Sequence, residues 1–289
     1  MLDATRHTFT GSGGLQIAAD LLGAPEAPPV ILMHGGGQTR WSWGASARSL
    51  SAQGFRVISL DLRGHGDSDW APDGDYSFEA FAADLRAILA VIGGRPLIVG
   101  ASLGGLTALM TCGEPPFADV AGLVLVDIAP RVSSAGTDRI VGFMRSTSRG
   151  FPTLEEAAVA IAEYLPHRNR PPRPEGLAKN LRLGSDGLYR WHWDPAFIKP
   201  RPGWTPEKFE QRLMQATRAI DAPMLFVRGG KSDVLTESIA RELAADLPKA
   251  EFAEVAGAEH MLAGDDNTAF TKVILPFLLA HSIQDNAHD

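Results

Sequence analysis

The feature that most limits how this chain can fold is a rhythm of short apolar runs, each followed by a helical pattern. Val30–Met33, Phe55–Leu60, Leu97–Val99 and Gly122–Val126 are nearly continuous aliphatic stretches, too short for helices and lacking the polar alternation of a strand with one wet face. Trp43–Gln53 suits a short helix stopped by Gly54. Ser77 can cap a longer one in which Phe78, Phe81, Leu85, Ile88, Leu89 and Ile92 recur every three or four residues before Gly93-Gly94. Thr5–Thr10 and Leu15–Leu22 read as a strand pair around Gly11-Ser-Gly-Gly. Buried strands separated by helices predict an α/β fold: a mostly parallel sheet flanked by helices on both faces.

The rhythm breaks between Ile128 and Ala222, where helical pieces (Thr153–Tyr164, Pro206–Ile220), a Pro-rich stretch over 166–174 and the tryptophans Trp191, Trp193 and Trp204 replace strand-like runs. The segment 130–221 is therefore expected to be an inserted helical cap, with 1–129 and 222–289 forming the core domain. Its tryptophans are expected to roof the site with apolar surface. The rhythm resumes with Met224–Arg228, a helix over Thr236–Leu247, the strand Glu251–Val255 and a closing helix over Asn267–Ser282.

Composition removes several classes of function. Of 289 residues, 45% are hydrophobic and 21% charged, enough apolar surface to fold one large α/β unit and to exclude global disorder. The net charge of −7, with only a short Arg/Pro patch around Arg168–Arg173, argues against a nucleic-acid partner. No apolar run approaches a membrane span and the start lacks a signal-peptide pattern, so no membrane partner and a cytoplasmic location are expected. The single Cys112 cannot form an intramolecular disulfide, and no Cys/His spacing offers a metal site; neither metal nor cofactor is expected.

Chemistry concentrates at strand ends. Gly100-Ala101-Ser102-Leu103-Gly104-Gly105 fits G-x-S-x-G between a strand and a helix, where small neighbours leave room for a strained turn that presents the Ser102 hydroxyl. The Leu103 amide, at the helix N-terminus, is the first candidate oxyanion donor. His34-Gly35-Gly36-Gly37 follows an earlier strand; its side-chain-poor loop can bring a second amide to a substrate carbonyl, with Gly36 preferred and Gly35 and Gly37 close behind. A serine nucleophile needs a base, and the base needs a carboxylate. His260 follows the last strand and Asp233 the strand before it, in the order Ser102, Asp233, His260. Asp127, ending the strand Gly122–Val126, is the rival acid. His34 and His65 read as structural. Gly35, Trp41, Trp191, His192, Trp193 and Met261 are candidate substrate-binding positions.

Together with Asp61-Leu-Arg-Gly-His-Gly-Asp-Ser and Gly230-Lys-Ser-Asp233, these motifs resemble the α/β-hydrolase fold with a cap, of the esterase, lactonase and haloperoxidase-like kind, over nearly all of Thr5–Ser282 outside the cap. The resemblance implies a serine hydrolase that cleaves a small, moderately hydrophobic ester or lactone through an acyl-enzyme. A carbon–carbon bond hydrolase using the same triad, or a ligand receptor with slow turnover, is the alternative. Epoxide hydrolase and haloalkane dehalogenase chemistry is disfavoured because it needs a carboxylate where Ser102 stands.

Overall fold

The computed structural model describes residues 4–165, 177, 180–200, 203, 205–256 and 267–282. At its centre is an eight-stranded sheet in the order β1 (Thr5–Thr10), β2 (Gln16–Leu22), β4 (Arg56–Leu60), β3 (Pro29–Met33), β5 (Leu97–Ala101), β6 (Gly122–Val126), β9 (Met224–Gly229), β10 (Glu251–Val255). β1 and β2 form the antiparallel hairpin, β2 joins β4 antiparallel, and the remaining neighbours run parallel.

Alternation along each strand explains why the runs are apolar throughout. Ile31, Met33, Ile58, Leu60, Ile98, Leu123, Leu125 and Phe226 face one layer, formed with α2 (Phe78–Ile92), α3 (Leu103–Gly113), α6 (Pro206–Ala219) and α7 (Glu237–Asp246). Their neighbours Val30, Leu32, Val57, Val99, Val124 and Val227 face the other layer, formed with α1 (Gly44–Ala52) and α8 (Asn267–His281). Both sides are dry, so the buried positions are almost all apolar, with Ser59 of β4 the exception among the sheet's described buried residues. The Ser77 hydroxyl accepts from the Ala80 amide and caps α2 as its sequence predicts.

Residues 130–221 leave the sheet after β6 and return at β9, its hydrogen-bonded neighbour. α4 (Ser134–Thr147), α5 (Leu154–Tyr164) and a short hairpin, β7 (Leu181–Leu183) with β8 (Tyr189–Trp191), enclose a separate apolar cluster of Phe151, Ala157, Ile161, Leu165, Leu177 and Leu181. The hairpin corrects the expectation of a strand-free segment: β7 buries only Leu181 of its three residues, so it carries no apolar run to read. α6 instead sends Leu213 and Met214 into the main core. It lies so close to α3 that a Cβ at Gly113 would meet the Ala216 carbonyl oxygen at 2.3 Å. Among the described residues, no helix is long and apolar enough to cross a membrane.

Because the parallel strands all point one way, the residues following β3, β5, β6 and β9 gather at a single edge. These are His34, Ser102, Asp127 and the Ser232-Asp233 pair.

Candidate active site

Ser102 joins β5 to α3 with φ 44° and ψ −110°, a left-handed backbone that a non-glycine residue adopts only when its surroundings impose it. Those surroundings have no slack. A Cβ at Gly100 would lie 2.5 Å from the Gly104 carbonyl carbon, one at Gly104 would lie 2.5 Å from the Met33 carbonyl oxygen, and one at Gly105 would lie 2.4 Å from Ile128. The motif's small residues thus let α3 start directly against β3 and β5. The turn leaves Ser102 half-buried at the rim. Leu103 opens α3, so its N–H has no partner within the helix and points with the helix dipole toward whatever Ser102 binds.

The glycine loop meets this turn directly: a Cβ at Gly35 would lie 3.4 Å from Ser102 Cβ. Two of its amides are committed, since the Gly35 N–H donates to Gln38 Oε1 at 2.9 Å and the Gly37 N–H to His65 Nε2 at 3.1 Å. The Gly36 N–H has no acceptor among the described residues, which favours it over its neighbours as the second oxyanion donor.

Two buried imidazoles fix the loop. His34 Nδ1–H donates to the Gly35 carbonyl at 2.8 Å while Nε2 accepts from the Leu62 amide at 3.0 Å. His65 Nδ1–H donates to the Arg63 carbonyl at 3.0 Å while Nε2 accepts from Gly37. Each ring is therefore a neutral tautomer with both nitrogens in use. Burial pushes His34 down to about 4, and burial together with the neighbouring His34 pushes His65 down to about 3. The 4.0 Å separation between His34 Nε2 and Asp61 Oδ1 is accordingly not an ion pair. Asp61, fully buried, accepts instead from the Arg40 amide at 2.6 Å, the Asp67 amide at 2.8 Å and the Arg40 guanidinium. Burial alone would loosen the Arg40 proton; Asp61, Asp20 and Asp67 more than reverse that.

The two candidate acids stand in different environments. Asp127 lies beside the turn, since the Ser102 amide donates to the Val126 carbonyl at 3.1 Å. It is fully buried, its Oδ1 accepts from the Gly229 amide at 3.0 Å, and its Oδ2 accepts from the Ser232 hydroxyl. At φ 50° it is, with Ser102, one of the two non-glycine residues in left-handed backbone among the described residues. Asp233 is 42% exposed through its side chain and pairs with Arg139 at 3.2 Å. His260 and Met261 lie outside the described residues, as does Trp204; the strand before His260, β10, ends at the same edge as the others.

The aromatic candidates separate. Trp193 is buried with Nε1 at 3.7 Å from a Cβ placed on Gly37, so it reaches the glycine loop. Trp191 faces the inserted segment's own cluster, donating to Thr147 Oγ1 at 3.0 Å and meeting Phe151 edge-on. Trp41 and His192 meet each other edge-on at 5.8 Å, with Arg40 over the Trp41 ring. The structure adds two residues that sequence patterns do not single out: Met144, whose methyl lies 3.2 Å from a Cβ at Gly37, and Phe197, whose ring lies 3.3 Å from a Cβ at Gly36. Neither belongs to a motif; only the return of the inserted segment over the loop brings them there. His65 was equally hard to see, because its burial comes from Phe197 (4.9 Å between rings) and the inserted segment.

A strained serine at a helix N-terminus, open amides from two loops and a buried carboxylate on the next strand together define a hydrolase of the nucleophile-elbow class. The sequence comparisons agree. Residues 30–273 match the model of the alpha/beta hydrolase family, and the chain belongs to that family. It is 32% identical over 225 residues to an esterase of Mycobacterium tuberculosis, an alignment covering 75% of this chain and 71% of that protein. It is 27% identical over 237 residues to the 3-hydroxybutyrate-oligomer hydrolase of Cupriavidus necator, covering 77% and 79% respectively. A crystal structure of an alpha/beta hydrolase from Novosphingobium aromaticivorans superposes with a TM-score of 0.79 at 28% identity, covering 96% of this chain and 99% of the other. These relatives support the coarse reading of a serine-type hydrolase acting on esters.

Proposed function

We propose that the chain hydrolyses carboxylic esters through an acyl-enzyme on Ser102. In this reading His260 takes the serine proton and later returns it, the Gly36 and Leu103 amides hold the developing oxyanion, and water releases the acyl group. The acid partner of His260 is Asp127 in preference to Asp233. The observation that supports this choice is the shared left-handed backbone of Ser102 and Asp127 on adjacent strands, with the Asp127 carboxylate buried and held by Gly229 and Ser232. A carboxylate in that setting can orient an imidazole and stabilise its cation, whereas Asp233 is half in solvent and already serves Arg139. Ser232 takes the place beside β9 where an acid could stand and donates to Asp127 instead.

Residues 130–221 act as a cap in this reading, presenting Met144, Trp193 and Phe197 to the glycine loop, which suits a small, moderately hydrophobic substrate. The same machinery would open lactones.

The test pairs p-nitrophenyl acetate hydrolysis with labelling by a fluorophosphonate, in wild type and in Ser102→Ala, Asp127→Asn and Asp233→Asn. Expected are no labelling of Ser102→Ala, a fall in kcat on the order of 10³–10⁴-fold for Asp127→Asn, and a change within a few-fold for Asp233→Asn. Labelling that survives in Ser102→Ala defeats the hydrolase reading. A large loss in Asp233→Asn with Asp127→Asn near wild type returns the acid role to Asp233.

A further inference from the structure

Phe197 has two neighbourhoods. One edge of its ring, Cε1 and Cζ, lies 3.3 Å from where a Cβ on Gly36 would be, so it packs against the residue whose amide is assigned to the oxyanion. The same residue also lines a groove of about 500 Å³, open to solvent, where Tyr76, Phe78, Ala196 and Phe209 stand beside the charged Glu79 and Arg212 at the start of α2 and the approach of α6. That volume is in the range of small-molecule sites, and Tyr76, Phe78 and Phe209 give one side of it an aromatic surface. The ring is held in place from behind. It follows Asp194, whose Oδ1 accepts from the Ala196 amide at 2.8 Å and whose Oδ2 accepts from the Tyr76 hydroxyl at 2.6 Å, and it packs edge-on to Tyr76 at 6.1 Å and His65 at 4.9 Å.

We propose that Phe197 is the specificity-determining wall between the oxyanion loop and this groove, so that it limits the acyl chain of the ester and keeps longer straight-chain acyl groups from the groove's aromatic side. The inference rests on the ester-hydrolase reading and deepens it by naming what sets substrate size. No part of the triad is altered by removing the ring. The chain next to the carbonyl gains a path past Gly36 along the aromatic side of the groove, formed by Tyr76, Phe78 and Phe209.

The experiment measures kcat/KM for p-nitrophenyl acetate and p-nitrophenyl octanoate, together with labelling rates for short-chain and long-chain alkyl fluorophosphonates, in wild type, Phe197→Ala, Phe197→Leu and the double variant Phe197→Ala with Ala196→Phe. Expected is a rise of about tenfold or more in the long-to-short ratio for Phe197→Ala, the scale at which pocket size discriminates chains. Phe197→Leu, which keeps an apolar contact to Tyr76 and so guards against loss of fold, should move the ratio the same way by less. Refilling the groove from Ala196 should cancel the gain. Ser102-dependent labelling with an unchanged ratio in both single variants overturns the wall while leaving the hydrolase reading intact; absence of Ser102-dependent labelling in wild type overturns both.

Discussion

On the sheet side of the cleft, the loop 34–37 is held by hydrogen bonds among buried polar groups: both nitrogens of His34 and of His65, the Gln38 carboxamide, and behind them the Arg40 and Asp61 pair. On the facing side, residues 130–221 keep their shape through apolar packing, with Phe143 stacked on Tyr164 at 4.2 Å and Trp191 against Phe151. They join the opposite side through backbone bonds, Asp194 N–H to the Gly64 carbonyl at 2.8 Å and Gly66 N–H to the His192 carbonyl at 2.9 Å, and through side chains, the Tyr76 hydroxyl to Asp194 Oδ2 at 2.6 Å and the Arg182 guanidinium to the Gly66 carbonyl. In the proposed hydrolase reading, the contrast follows from what each side would do. Amides that stabilise a transition state need fixed positions, which directional bonds in a dry interior provide. A surface that selects among substrates can be built from packing, which tolerates exchange of one apolar residue for another.

The contrast can be broken hardest at Arg40. Arg40→Ala leaves Asp61 buried with its charge uncompensated, and unfolding should become easier by about 3–5 kcal/mol, readable in chemical denaturation. Acid should act next, through the histidines. His34 is held near 4 and His65 near 3 against an ordinary 6.5, so below about pH 6.5 the unfolded chain binds protons that the native chain refuses. Stability should therefore fall as pH falls, by roughly 3 kcal/mol through each imidazole by about pH 4, with His65 continuing somewhat below that. Melting curves across pH 7 to 4 check this, and a flat profile would mean the imidazoles are not buried neutral.

His65→Leu sharpens the comparison at the loop itself. It removes the acceptor that fixes Gly37 and should lower kcat by about tenfold with little change in KM, as loosened oxyanion geometry does. An equal rise in KM would point to a merely structural part. The smallest effect is expected across the cleft: Trp191→Phe deletes the bond to Thr147 and should cost about 1 kcal/mol of stability with activity unchanged.

Much of the sheet side was legible in the sequence because its signals are local. The strand Gly122–Val126 announces itself as a continuous aliphatic run, Ser77 as a cap, and the Ser102 turn as glycines spaced for a sharp corner. The sequence order favours Asp233 with Asp127 as rival, since both follow strands; burial, left-handed backbone, the bonds from Gly229 and Ser232 and the pairing of Asp233 with Arg139 distinguish them only in the fold. The importance of Phe197 and Met144 was hidden for a similar reason: each owes its place to contacts made across the cleft. α4 was overlooked because its sequence, Ser-Ala-Gly-Thr-Asp-Arg at the start, has little apolar periodicity, and β7 and β8 are too short to show any.

One connection has a consequence for how such a molecule can diversify. β6 and β9 sit side by side in parallel register, so the whole of 130–221 amounts to a single oversized crossover between adjoining strands. A lineage can lengthen, shorten or replace that bridge while every ladder bond beneath it survives, exchanging tastes in substrate yet inheriting the same reactive floor.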